Sequence, residues 1–575
     1  MLCNSIAAGA LAAGSVLTLV LLLNPTLPLQ PLAPLVTTVG VFYAFHLTVI
    51  CYVLLVLRQL LARNLFSPAW LSVGALTWLG AVLTAGAAAL MWANLSTFER
   101  VLDPAVVTAM NRAVLILGGA SGSFLLLAWL RHVFGREKRT LWATALFLIA
   151  GASLAGPLAV RGRGQPPVLE ARPLDAAIDF TSADRPSRVT VIALDAASLD
   201  FITSATAEGR LPNFGRILDA GAVMHLATIH PTSADAIWAA VATGKLPQKN
   251  GVRAAGLYRL AGGGDPIQLL PTYCFAYELV RFGFLVEEPH TSATLTTRSI
   301  WSILGTHGFS VGVVAWPLTQ PAPVVRGYIV SDTFQRVADT PAGLVDSSAV
   351  YPADVQADVM RAMEEAPEPA DPALPVSTSL EKRNQAPGRI DQTYDRIASE
   401  LARIRPSQVT LTRFQSLDPI GHYFLRYATP SEFGDVTEEE RRTLGPVLER
   451  YYRLIDEAVG RAMAALGPDD LLLVVSGYGM EPLGLARRLV ERVIGDADLS
   501  GSHDAAPDGF LMAYGAPAAR GRLTERASVV DVTPTILYFL GLPIGRDMDG
   551  YARTDLFQRA FTAERPITFI PTYDR

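Results

Sequence analysis

Three residues in the C-terminal half of the chain have the types and spacing to hold a metal ion: Asp418, His422 and His503. Zinc takes imidazole nitrogen and carboxylate oxygen in a tetrahedral site, and three protein donors with one open position is its catalytic form. Asp195 offers a further carboxylate. A metal so held would polarise an oxygen of a bound substrate or lower the pKa of water.

These residues stand at particular places along the chain. Short β-branched runs recur at 189–194, 310–315, 408–417, 471–476 and 510–514, each ending where a polar or glycine-rich stretch begins. Asp195 ends the first run, Asp418 and His422 follow the third, and His503 precedes the last. Helical patterns such as 447–466 lie between the runs. Alternating strands and helices predict an α/β domain with a mostly parallel sheet covered on both faces, whose ligands bind beyond the carboxyl ends of the strands. Residues 364–386, rich in Pro, Glu and Ser, read as an excursion between elements, and whether they act as a lid stays open.

Ahead of this domain the chain is strongly apolar. Five stretches, 5–23, 35–57, 71–92, 113–130 and 141–160, are long enough to cross a hydrocarbon core of about 30 Å, and none carries a charge. The first lacks a basic leader and is followed at once by further apolar stretches, so it reads as a retained helix. Arg58 and Arg63 lie in one short loop, and Arg131, Arg136, Lys138 and Arg139 in another; both loops are expected in the cytoplasm. With five crossings the C-terminal part falls on the periplasmic or extracellular side of a bacterial-type inner or plasma membrane. The expected organisation is a membrane domain over 1–160, a linker over 161–187 and an exported domain over 188–575.

Composition excludes some classes of partner. The formal net charge is −5, which supplies no basic surface for nucleic acid. Of three cysteines, Cys3 and Cys51 fall in or beside apolar stretches, leaving Cys274 alone in the exported part, without a partner for a disulfide there.

The segments 191–195, Leu417-Asp-Pro-Ile-Gly-His-Tyr423 and 501–509 resemble the alkaline phosphatase superfamily, in its type I phosphodiesterase/nucleotide pyrophosphatase branch. Further matches are Leu211-Pro-Asn-Phe214, Trp238 with Ala242-Thr-Gly-Lys245, 315–319 leading to 330–332, 531–537 and Asp547-Met-Asp-Gly550. The resemblance implies an alkaline phosphatase-like fold from about Val189 to the C-terminus and a hydrolase or phosphotransferase acting on phosphoesters. It implies two zinc ions and a Ser or Thr nucleophile whose attack the metals assist.

Carried over position by position, Asp418, His422 and His503 match the first metal set and Asp195 the first carboxylate of the second. Gly477 and Tyr478 stand where the family has an Asp and a His, and Ala234 stands at the nucleophile position. Ser233 and Thr232 are the adjacent hydroxyls, and Tyr478 is placed to bond a phosphoryl oxygen. The expectation is one divalent metal, zinc or manganese, with the second site weak or empty. Two functions remain open: a membrane-anchored phosphodiester hydrolase or transferase with a reduced metal site, and a pseudoenzyme binding a phosphate-bearing envelope lipid, glycan or protein partner.

Overall fold

The computed structural model describes residues 1–30, 33–62, 72–135, 139–162, 187–334, 347–364, 378–504, 506–522 and 525–574. The chain forms two compact units, one of Met1–Leu169 with Arg253–Pro289, the other of Glu170–Val252 with His290–Arg575.

The first unit contains five helices long and apolar enough to cross a membrane, Leu2–Leu23, Val41–Ala62, Val73–Phe98, Pro104–Val133 and Arg139–Arg161. Several hydroxyl side chains within them bond to backbone carbonyls. Ser15, Thr18 and Thr84 each donate to the carbonyl four residues earlier, and Ser121 donates across to Ala81 O at 2.9 Å. The loop residues Arg63, Arg136 and Lys138 lie outside the described residues.

The sequence reading assigns 253–289 to the exported domain, whereas this segment packs in the helical unit. It forms an antiparallel hairpin of Leu257–Leu260 with Leu285–Glu288. Two helix asparagines take its backbone. Asn24 Oδ1 accepts from Gln268 N and Leu269 N, both at 2.9 Å, while its Nδ2 donates to Leu269 O at 2.8 Å. Asn94 Oδ1 accepts from Thr272 N at 2.7 Å and its Nδ2 donates to Thr272 O at 3.1 Å. Arg253 pairs with Asp103 at 2.8 Å. Leu260, Ile267, Leu270 and Leu279 pack with Val16, Val20 and Tyr43 in one apolar cluster.

The second unit is built on a ten-stranded sheet. Its order is Gly521–Arg522, Ala222–Ala227, Asp508–Tyr514, Leu471–Tyr478, Val189–Leu194, Val409–Phe414, Val311–Trp316, Gly327–Ser331 and Val350–Tyr351, with Ala527–Ser528 also pairing Ala222–Ala227. The central strands are parallel, and Asp508–Tyr514 runs antiparallel to both neighbours. Leu471–Tyr478 is buried along its whole length, as expected of a strand covered on both faces. One apolar cluster joins Ile192, Leu194, Val474 and Phe510 of the sheet to Phe424, Tyr452 and Ile455 of the helices Leu417–Ala428 and Pro446–Ala464.

Two boundaries depart from the sequence reading. The run 408–417 divides, because the Asp391 carboxylate accepts the N–H groups of Gln415 and Ser416, both at 2.9 Å, and draws them out of the ladder before a helix begins at Leu417. Burial pushes the Asp391 carboxyl up to about 6, against those hydrogen bonds. Of the stretch read as an excursion, 365–377 lies outside the described residues, while the part from Thr378 onward belongs to the helix Thr378–Ile404. Within the expected linker, 163–186 likewise lies outside them.

Candidate metal centre

Asp418 and His422 occupy the first two turns of the helix Leu417–Ala428, four residues apart and hence on one face. His503 follows the short strand Gly501–Ser502. His422 Nε2 is 3.8 Å and His503 Nε2 3.5 Å from Asp418 Oδ1, and the imidazole centroids are 5.1 Å apart. One donor atom from each of the three lies within 4.8 Å of the others.

The approach of the His503 loop to the helix has a local cause. Ser500 donates to His422 O through N at 2.7 Å and through Oγ at 3.1 Å. A Cβ on Gly501 would lie 2.5 Å from Gly421 O, so only glycine allows the contact.

The donor set fits a divalent metal. His422 Nδ1 lies 2.8 Å from Gly501 O; because a carbonyl only accepts, Nδ1 carries the proton and Nε2 keeps its lone pair toward Asp418. Asp418 Oδ1 and His503 Nδ1 are buried with no hydrogen-bond partner. Buried polar atoms are seldom left so. Burial pushes the Asp418 carboxyl up, and His503 and His422 would pull it down only with a positive charge on their imidazoles. A bound cation is the partner that would hold it ionised.

Asp195 does not join these three. Arg413 Nη2 is 2.6 Å from its Oδ2 and Arg413 Nε 3.0 Å from its Oδ1, and Trp238 Nε1 donates to Oδ1 at 2.6 Å. Asp195, which the resemblance implies as a metal carboxylate, is held here in an ion pair with the Arg413 guanidinium. Burial opposes the Arg413 charge, but Asp195 outweighs it and holds the guanidinium above its ordinary range. Ala196, next in the chain, is held at φ +54°.

Gly477 and Tyr478 end the strand Leu471–Tyr478. A Cβ at Gly477 would stand 2.3 Å from Ile237 Cγ2, so no larger side chain fits while Ile237 keeps its position. The Tyr478 ring lies 5.3 Å from that of His503, and its hydroxyl is buried with no hydrogen-bond partner. Burial first, then the charges of Asp195 and Asp418, hold this phenol well above its usual range, so it stays a proton donor.

The helix Ala234–Thr243 begins with Ser233 as N-cap, and Ser233 makes no side-chain cap. Its Oγ is buried without a hydrogen-bond partner. Thr232 Oγ1 lies 3.3 Å from His230 Nδ1. Trp238, on the second turn of this helix, carries its start to Asp195.

Two residues escaped the sequence reading. Arg413 had a visible signal, a lone cation inside a β-branched run. His230, two residues before Thr232, had none beyond its proximity.

The type I phosphodiesterase/nucleotide pyrophosphatase family matches residues 189–530. No curated protein matches the sequence. Among solved structures, a mutant of the alkaline phosphatase PafA is 12% identical, covering 66% of this chain and 100% of its own, with a TM-score of 0.39. Murine ectonucleotide pyrophosphatase/phosphodiesterase 5 is 12% identical over 65% of this chain and 100% of its own, TM-score 0.38. A phosphonate monoester hydrolase from Silicibacter pomeroyi is 14% identical over 64% of this chain and 76% of its own, TM-score 0.37. The family match spans more than half of the sequence and contains Asp195, Asp418, His422 and His503, and the chain belongs to the type I phosphodiesterase/nucleotide pyrophosphatase family.

Proposed function

We propose that the chain is a membrane-anchored phosphodiester hydrolase or transferase that works with one divalent metal and one fixed guanidinium. The observation that carries this is a set of buried polar atoms left without hydrogen bonds, Asp418 Oδ1, His503 Nδ1 and Tyr478 Oη, around one carboxylate and two imidazoles. Asp418, His422 and His503 would hold the ion, zinc by donor type with manganese next, and its chemistry when bound is Lewis-acid stabilisation of a phosphoryl oxygen.

The chain's own residues do the rest. The Tyr478 hydroxyl, kept protonated by its surroundings, donates to a phosphoryl oxygen. Arg413 keeps Asp195 neutralised, so that its negative charge does not repel an anionic substrate. Ser233 Oγ attacks phosphorus, forming one P–O bond as the bond to the leaving oxygen breaks; the serine proton passes to solvent and the leaving oxygen takes one up. Water, or an acceptor alcohol in the transferase case, displaces the serine in a second step and restores its hydroxyl. Five helices of membrane-spanning length support the anchoring, and the basic loops around 58–63 and 131–139 support an exported catalytic unit.

A second reading has its own support. Ala234 at the nucleophile position and the crowding of Gly477 by Ile237 favour a binding protein that holds a phosphate-bearing ligand without turnover. The deciding experiment measures metal content and bis-p-nitrophenyl phosphate hydrolysis on the purified full chain. Turnover that His503→Ala abolishes together with the metal, and that Ser233→Ala abolishes with the metal retained, is the expected result. A metal-loaded wild type without turnover on any phosphodiester leaves the binding reading.

A further inference from the structure

The helical unit contains a cavity of about 920 Å³ between the helices Leu2–Leu23, Val41–Ala62 and Val73–Phe98 and the segment 273–282. That volume is at the upper end of the range for small-molecule sites, about 300–1,000 Å³. Its walls are almost wholly apolar. The polar groups among them are Ser15 Oγ, bonded to Leu11 O, Tyr43 Oη, bonded to Cys274 O at 3.0 Å, Glu278, paired with Arg281 at 3.5 Å, His46, whose Nδ1 lies 2.8 Å from Phe42 O, and the Tyr273 hydroxyl.

Two observations say what the occupant is. Ile50 and Val82 line the cavity and are also 52% and 65% exposed, so its mouth opens sideways between two helices of membrane-spanning length, where the surround is hydrocarbon. Beside the cavity, the segment 273–282 presents Tyr273 and Phe275, 74% and 78% exposed and both at positive φ, with Phe282 exposed as well. Of these, Tyr273 has the amphipathic ring of a side chain that settles at the headgroup level of a bilayer. A hydrocarbon chain entering from the bilayer meets largely apolar walls along its length and the Tyr273 ring at its polar end.

The geometry points to a binding site for the hydrocarbon tail of a membrane lipid, entered laterally between Val41–Ala62 and Val73–Phe98, and to a lipid-borne phosphoester as the substrate. The substrate half rests on the phosphoesterase reading above. The tail half does not. Residues 253–289 lie inside the stretch that matches the phosphodiesterase family and belong to the helical unit, where 273–282 contribute to the cavity's lining.

Filling the cavity tests this. Gly86 lines it, and a Cβ there meets nothing within 4 Å, so Gly86→Trp projects into the empty space; Gly118→Trp, equally unobstructed but on Pro104–Val133 away from the cavity, is the control. Val82→Trp at the exposed mouth is a second block that leaves the helix core untouched. The full chain is reconstituted in vesicles containing phosphatidylethanolamine with a diazirine in its acyl chain, irradiated, and the labelled peptides identified.

The wild type and Gly118→Trp are expected to label in Val41–Ala62 and Val73–Phe98, with labelling falling at least about tenfold in Gly86→Trp and Val82→Trp. Hydrolysis of a lipid phosphodiester is expected to fall in parallel, while bis-p-nitrophenyl phosphate hydrolysis is unchanged. Labelling that neither substitution reduces overturns the tail site. Lost labelling with both hydrolysis rates intact overturns the lipid substrate. A wild type that labels but hydrolyses neither diester overturns the phosphoesterase reading and with it the substrate half, and supports a lipid-binding protein.

Discussion

Arg413 and Asp195 meet through two contacts, 2.6 and 3.0 Å, with both side chains buried and Trp238 donating to the same carboxylate. Both charges of the pair act on Asp418, with opposite signs, so that together they add little net charge to the three metal-type donors. Breaking a buried pair by removing one partner leaves an uncompensated charge and costs about 3–5 kcal/mol. Arg413→Ala is therefore expected to lower the denaturation midpoint sharply. Asp195→Asn combined with Arg413→Met is expected to recover most of the loss, because neither residue is then charged. Metal content in Asp195→Asn, read by mass spectrometry, stays at the wild-type value.

The same pair bears on whether a second metal can be restored. Replacing Gly477 by Asp, Tyr478 by His and Ala234 by Ser supplies the missing family donors in name only, since Ile237 stands 2.3 Å from a Cβ at 477 and Arg413 already occupies Asp195. The triple variant is expected to bind no more metal than the wild type. A second equivalent should appear only when Ile237→Ala and Arg413→Ser are added.

Tyr478 separates folding from function. Its buried hydroxyl has no hydrogen-bond partner, so Tyr478→Phe removes an unsatisfied group and is expected to leave stability unchanged or raise it by up to about 1 kcal/mol. Turnover on a phosphodiester is expected to fall about 10- to 100-fold with loss of the donor to the phosphoryl oxygen. Parallel melts and initial rates check both halves.

Asp391 gives a pH dependence whose sign is set by its burial. Its carboxyl is raised from 3.8 to about 6 in the folded chain, so the folded state holds the proton more tightly than the unfolded state does. That contribution, about 3 kcal/mol at roughly 1.4 kcal/mol per unit, is complete below pH 4 and is lost as the pH rises to 6. Asp391→Asn removes the ionisation. The stability difference between wild type and variant should therefore change across that window and be flat above it, as followed by denaturant midpoints.

The strands and helices around the site were largely legible because each carries its own local pattern. Val189–Leu194 is a β-branched run bounded by polar residues and lies where it was expected. The three metal-type donors were legible from types and positions, although the i to i+4 helical face that joins Asp418 to His422 was not, since the run 408–417 looked continuous. Its break depends on Asp391, which is remote in sequence. Arg413 was misjudged by omission for a similar reason: pairing to Asp195 is a contact across 218 residues and leaves no periodicity. That 253–289 packs with the helical unit was not legible, because its apolar side chains look the same whether they face a sheet or a helix.

Asn24 and Asn94 take their backbone partners 245 and 178 residues further along the chain. During synthesis the helices therefore emerge before the backbone groups at 268–272 that these two amides bind besides Val20 O and Leu90 O, and the helical unit is complete only after the ribosome has passed residue 289. A polypeptide cut after the fifth helix lacks part of the unit those helices form, and the family-matching stretch is thus also a late structural part of the helical unit that precedes it.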